Sequence, residues 1–287
     1  MTFIQFCNAL GIIIDALPPA GVWKRYPTTD HPRTRNGAVK WLGEVGFAQN
    51  HATQTDVSVW RQDSDAPNVD REAINRQVAA FEQKMRDGWA RAARRAHEMV
   101  AQAKQAEHNY LHIKGFADAR GLVLPDGALL IPMRHWRTNV LVGAQVIRWI
   151  DDEKRYEKKM IPGMRAKGAV FRIGARHAAR TWLVEGFATA LSVEAAVGLL
   201  RLRDAVLVCF SAGNLTHVAS LLTGERVVFA DNDESKAGER AAQATGLRYC
   251  MAPTVGHDAN DFHMAGGIYK VASLMVDAIN SEVAQPP

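Results

Sequence analysis

The chain has 287 residues, 47% hydrophobic and 23% charged, a balance that excludes wholesale disorder and leaves room for two domains. Its longest apolar stretches, such as 205–210 and 10–14, fall far short of the roughly 20 residues that cross a bilayer, and the N-terminus lacks the basic start of a signal peptide; a cytoplasmic protein without a membrane partner is expected. The net charge of +5 is unevenly spread, with +10 on residues 1–180 and −5 on residues 181–287, an asymmetry suited to gripping a polyanion with one part and a divalent metal with another.

Residues 1–66 are rich in Gly, Pro and Trp and show only short β-like pieces at 38–42 and 56–60, so an irregular N-terminal module is expected. From Asp70 to about Glu107, Ile74, Val78, Phe81, Met85, Trp89, Ala93 and Ala96 recur at helical spacing. That predicts a long connecting helix within 67–108, with Asp70 as its N-cap and Gly88 as its weakest point. Residues 109–180 read as a small basic α+β subdomain, β-rich, with strands at 128–132 and 140–147 and a charged loop or hairpin over 151–159. From residue 181 strand and helix alternate: strands at 181–184, 205–210, 226–230 and 247–252, helices at 187–199, 214–222, 236–245 and 268–280. This is the pattern of an α/β domain with a mostly parallel sheet flanked by helices, spanning 181–287 and ending in a frayed Gln285-Pro286-Pro287 tail. Cys7, Cys209 and Cys250 lie too far apart for a zinc motif and are read as small buried hydrophobes.

Two apolar runs end abruptly in acid, 181–184 in Glu185-Gly186 and 226–230 in Asp231-Asn232-Asp233. Ligands in open α/β sheets gather beyond the carboxyl ends of the strands, so three carboxylates are expected at one sheet edge. Packed carboxylates repel one another and are either partly protonated or neutralised by a cation; all-oxygen ligation suits Mg²⁺ or Mn²⁺. The alternative for Asp231 and Asp233 is capping of the following helix, and for Glu185 an ordinary acidic turn.

The Glu185-Gly186 turn and the Asp231-Asn232-Asp233 triplet with Gly238 resemble the signature of the TOPRIM domain, shared by primases, type IA and II topoisomerases and some nucleases. The spacing to Gly238 and the downstream segment 253–261, with Asp258, Asn260 and Asp261, look more like primases of phages and conjugative plasmids. Upstream, residues 110–115, 130–133, 143–147, 154–156 and 168–174 resemble the region that precedes TOPRIM in those proteins, so the likeness spans about 108–265.

The resemblance implies a DNA-directed nucleotidyltransferase that makes short primers on single-stranded DNA from nucleoside triphosphates, with a separate replicative helicase as a partner. Glu185 would hold metal or serve as general base; Asp231 and Asp233 would bind Mg²⁺ or Mn²⁺, with Asp258 and Asp261 completing the site. Gly186, Asn232, Gly238 and Asn260 would support the turns, Asn260 orienting a carboxylate. Lys114, Arg134, Lys154, Arg155, Lys167 and Arg172 are the candidates for phosphate contacts, against the plainer reading of a solvated basic face. Trp136 is weighed as a base-stacking platform against a core position. No Cys/His set for a zinc module and no phosphate-binding P-loop occur, so neither zinc nor an attached ATPase is expected. Competing readings are a non-catalytic factor of a plasmid or phage that binds single-stranded DNA or a protein, in transfer or host interference, and, more remotely, nuclease or topoisomerase cleavage of DNA.

Overall fold

The computed structural model describes residues 1–62 and 71–281, so the expected Asp70 cap and the 285–287 tail lie outside the described residues. The chain divides into two compact units, residues 1–88 and residues 89–287.

In the first unit α1 (Phe3–Ala9) precedes β1 (Lys24–Tyr26), β2 (Gly37–Trp41), β3 (Val45–Asn50) and β4 (Ser58–Arg61), which form an antiparallel meander in that order. This region is more regular than its composition suggested. Thr2 and Gln5 close a capping box that starts α1, and Phe3 and Cys7 bury against Ile12, Val39 and Ala48. On the other face Phe47 stacks on Phe81, at 4.0 Å between ring centroids, from the N-terminal half of α2 (Arg71–Gln102). The helix runs unbroken through Gly88 and stops five residues before the expected Glu107, because Lys104–Ala106 is recruited into a strand.

The second unit contains β5 (Lys104–Ala106), α3 (Asn109–Ile113), β6 (Gly121–Val123), β7 (Leu129–His135), β8 (Leu141–Ile150), β9 (Arg155–Met160) and β10 (Ala169–Ile173). It continues with β11 (Arg180–Val184), α4 (Phe187–Leu199), β12 (Ala205–Val208), α5 (Ala212–Leu221), β13 (Glu225–Ala230), α6 (Ala237–Ala244), β14 (Arg248–Met251), α7 (Ala259–Gly266) and α8 (Ile268–Asn280). One ten-stranded sheet runs β14-β13-β11-β12-β10-β7-β6-β5, with β8 and β9 branching from β7. Strands β11 to β14 are mutually parallel, and β10 joins them antiparallel to β12. The stretches 109–180 and 181–287, distinct in sequence character, therefore share one hydrogen-bonded sheet.

Side chains alternate across this sheet. Trp182, Val184, Val206, Val208, Val227 and Phe229 pack with α4, α7 and α8 on one face, while Leu183, Leu207, Val228 and Ala230 pack with α5 and α6 on the other. Burial on both faces explains why these strands read as continuous apolar runs. The strand expected over 205–210 ends at Val208, since Phe210 takes a left-handed turn (φ 66°) into Ser211, whose hydroxyl caps α5 two residues earlier than expected. The charged segment over 151–159 is a hairpin between β8 and β9.

Candidate active site at the carboxyl ends of the parallel strands

Register places the acids. Val184 pairs with Phe229, so Glu185 directly follows β11 at the level of Ala230, and Asp231 emerges one residue later from the neighbouring strand. Both are half-buried, in a wall of apolar strand ends. Burial, then the charge of Asp233, raises the Glu185 carboxyl above its ordinary range, although an N–H at the start of α5 (Ala212) partly offsets this. Asp231 is pushed up to about 8, by burial first and then by the negative charges of Glu185 and Asp258; a Thr189 hydroxyl donates to it at 3.4 Å. Two neighbouring carboxylates thus hold protons more tightly, through burial first and then through the negative charges around them.

Asp233 behaves differently. It accepts hydrogen bonds from the Ser235 hydroxyl and from the N–H groups of Ala237 (3.2 Å) and Gly238 (3.0 Å) at the start of α6, and these donors outweigh burial to hold its carboxyl below the usual range. The capping alternative therefore describes Asp233 and not Asp231. Gly238 makes this possible. A Cβ there would stand 2.3 Å from the Asp231 carbonyl oxygen, so only glycine lets α6 approach closely enough to reach Asp233. Gly186 was expected to serve a tight turn, but its backbone is extended (φ −100°, ψ 152°), a conformation open to any residue. Asn232 ties the edge together instead: its side chain donates to the Ala252 carbonyl (2.9 Å), and its backbone bridges to His257.

The 258–261 segment is mainly a helix start. Asp258 accepts from the N–H groups of Asn260 and Asp261 and forms a capping box with Asp261 at the head of α7. Asp258 still faces the edge closely enough to raise Asp231, whereas the Asp261 carboxylate lies 3.8 Å from the Lys114 ammonium. Asn260 does not orient a carboxylate with its amide. Fully buried, it donates to the Lys114 carbonyl (2.8 Å) and the Ser192 hydroxyl (3.1 Å), which locks α7 to the end of α3. Its Oδ1 has no partner.

Among the described residues no three His, Cys, Asp or Glu groups stand close enough to form a ready-made metal site. The donor set nevertheless fits Mg²⁺ or Mn²⁺, because Mg²⁺ is commonly held by one or two carboxylates with waters and substrate phosphates filling the other positions. Glu185 and Asp231, side by side at adjacent strand ends, are the two carboxylates that could serve as such a pair.

The basic candidates fall into separate places. Lys114 belongs to the α7 lock. Lys154 and Arg155 lie on the exposed β8–β9 turn, where Arg155 pairs with Glu153. Lys167 is half-buried just before β10. Arg134 and Arg172 come together, and with them the structure groups Arg176, His135 and Trp136; of these three, the sequence singled out Trp136 and left Arg176 to a solvated basic face. Arg134 and Arg172 are 38 residues apart along the chain (172 − 134), and the pairing of β7 with β10 joins them.

Residues 180–268 match the family model described as the Toprim domain. The parallel strand order, the flanking helices and the acids at two adjacent strand ends agree with the match, and this part of the chain is a Toprim domain. Among solved structures, the chain is similar to one in an assembly of the bacteriophage T7 lagging-strand DNA polymerase with primase domains of two gp4 subunits, an RNA/DNA hybrid and dTTP, at 15% identity and a TM-score of 0.44 over 63% of this chain and 94% of that one. A second likeness is to the DnaG catalytic core, at 16% identity and a TM-score of 0.38 over 63% of this chain and 68% of that one. No curated protein matches the sequence. Among the described residues no helix is long and apolar enough to cross a membrane.

Proposed function

We propose that the protein is a metal-dependent nucleotidyltransferase of the primase type, making short primers on single-stranded DNA. The observation that carries this reading is the uncompensated pair Glu185 and Asp231 at adjacent parallel strand ends of a Toprim domain. Bound Mg²⁺ or Mn²⁺ supplies neutralisation of the charge that develops on a transferring phosphoryl group. Asp231 and Glu185 would hold the cation, and Asp233, fixed by the Ser235 hydroxyl and the first two N–H groups of α6, stays ionised at the rim and keeps the edge negative. In the alternative role, where Asp231 alone holds the cation, the raised proton affinity of Glu185 suits it to take the proton of an attacking 3′-hydroxyl. Asn232 and Gly238 hold the two loops that carry these acids.

The reading is tested by incubating the protein with single-stranded template, labelled ribonucleotides and Mg²⁺ or Mn²⁺. Metal-dependent oligonucleotides that disappear with Asp231→Ala and with Glu185→Ala support it. A second reading, a non-catalytic factor that binds single-stranded DNA, is favoured by one observation: Asp233, Asp258 and Asp261 all have capping partners within the protein. That reading gains if template binding persists in both variants and no product forms with the unsubstituted protein.

A further inference from the structure

The ladder between β7 and β10 is only two residues long, with Arg134 opposite Val170 and His135 opposite Ala169. Two positions further on, past Met133 and Phe171, the same register would set Pro132 against Arg172. Proline has no N–H to give, so pairing stops there and the strands part. The opening is a cleft of about 440 Å³, the size range of small-ligand sites.

Its chemistry is one-sided. Arg134, Arg172 and Arg176 line it with His135 and Trp136, and no carboxylate is among the described residues that do so. Arg134 gives one N–H to the Asn139 carbonyl (3.0 Å) and Arg176 gives one to the Arg137 carbonyl (2.7 Å), which aims both guanidiniums while leaving most of their five donors over. The Nη1 of Arg172 is buried with no hydrogen-bond partner at all. Burial, and then the charge of Arg176, lowers the proton affinity of Arg172, and burial with Arg165 and Arg137 lowers that of His135. A buried guanidinium facing another cation without a counter-charge is costly unless an anion meets it.

We infer that this cleft is an anion site separate from the acid edge, taking the terminal phosphates of a mononucleotide, with Arg172 at its floor, Arg176 at its rim and Trp136 beside the base. The anion preference stands on the cleft's own residues; naming the anion as a nucleotide rests on the reading under Proposed function. Terminal phosphates fit better than a nucleic-acid backbone, because a terminal group presents several charged oxygens to a recessed donor, whereas a diester carries one charge and must run past. Strand β12 intervenes between β10 and β11, the nearer of the two strands that carry the acids, so the cleft is a separate place on the sheet.

The test uses the full chain in excess EDTA, which removes any metal-bridged binding at Glu185 and Asp231. Inorganic triphosphate, ATP and a 5′-hydroxyl oligothymidylate are titrated by calorimetry against the unsubstituted protein, Arg172→Met and Arg176→Ala. The expected result is that triphosphate and ATP bind and compete with each other, that each substitution weakens both at least tenfold, and that the oligothymidylate does not displace ATP. Arg176 is exposed, so its variant keeps the fold and decides the matter should Arg172→Met fail to fold. Absence of triphosphate binding, unchanged affinity in Arg176→Ala, or displacement of ATP by the oligothymidylate overturns the assignment. Metal-free binding without primer synthesis would remove the proposed enzyme activity and leave the anion site intact.

Discussion

The two ends of the parallel strands β11 to β14 handle charge in opposite ways. At the amino ends, Arg180 lies 3.0 Å from Asp204 and 2.8 Å from Glu225, Arg248 reaches the same Glu225, and the Trp182 indole donates to Asp204 at 2.9 Å. Cation and anion alternate there, and the network pins the register. At the carboxyl ends, Glu185 and Asp231 lie side by side, and among the described residues neither has a cation as an ion-pair partner. A sheet that can balance its charges at one end and leaves them unbalanced at the other is marked for chemistry at the second.

That contrast can be broken from either side. The largest effect is expected at the carboxyl end, where Asp231→Ala should lower metal-dependent synthesis by about 10²–10³-fold, with a circular dichroism spectrum like that of the unsubstituted protein. At the amino end, Asp204→Ala should do the reverse: it leaves the buried Trp182 N–H without its acceptor and takes one of the two carboxylates from Arg180, costs about 3 kcal/mol in urea unfolding, and leaves specific activity intact below the melting temperature. Gly238→Ala joins both properties. Its Cβ forces α6 off the Asp231 carbonyl, for about 2 kcal/mol of stability, and loosens Asp233 as well, which should appear as a weaker apparent affinity for Mg²⁺ in the synthesis assay.

Asp231→Asn sharpens the comparison further, since it removes one of two repelling carboxylates. In EDTA it should stabilise the protein, by about 1 kcal/mol, while lowering activity. The smallest effect concerns acid. Arg180 and Arg248 hold the Glu225 carboxyl below its ordinary range, so its contribution is present above the unfolded carboxylate pKa and is lost as pH falls through the lower, folded value. Melting temperatures measured from pH 6 down to pH 3 should therefore fall less steeply in Glu225→Gln; equal slopes would show that the network carries no pH-dependent stability.

The acid edge was legible because its residues come in short motifs at the ends of apolar runs, where strand direction alone decides what converges. The helices at 187–199 and 268–280 were legible to the residue for a related reason, being bounded by Gly186 and Gly267. Asp233 was harder: the same residue type in the same triplet serves as ligand or cap, and only the hydrogen bonds to Ala237 and Gly238 separate the roles. The amino-end network and the arginine cleft were not read, because Arg180, Asp204, Glu225 and Arg248, like Arg134 and Arg176, meet only through strand pairing. The N-terminal meander was read only in part: the pieces at 38–42 and 56–60 fall on β2 and β4, while β3 was missed for want of alternation, since Val45, Gly46, Phe47 and Ala48 are all buried. Thr2 and Gln5 carried a readable capping signal for α1.

The shared sheet bears on how the protein can be cut. A fragment beginning at residue 181 would keep the acid edge but lose β10, leaving the hydrogen-bonding side of β12, an entirely apolar strand, bare to solvent. Such an edge invites pairing with a second copy, so the excised fragment should aggregate where a fragment beginning at residue 89, which keeps the part of α2 packed on Leu124, Leu130 and Leu141, stays dispersed. Light scattering of the two, purified side by side, would show whether the strand that completes the Toprim sheet also serves as its shield.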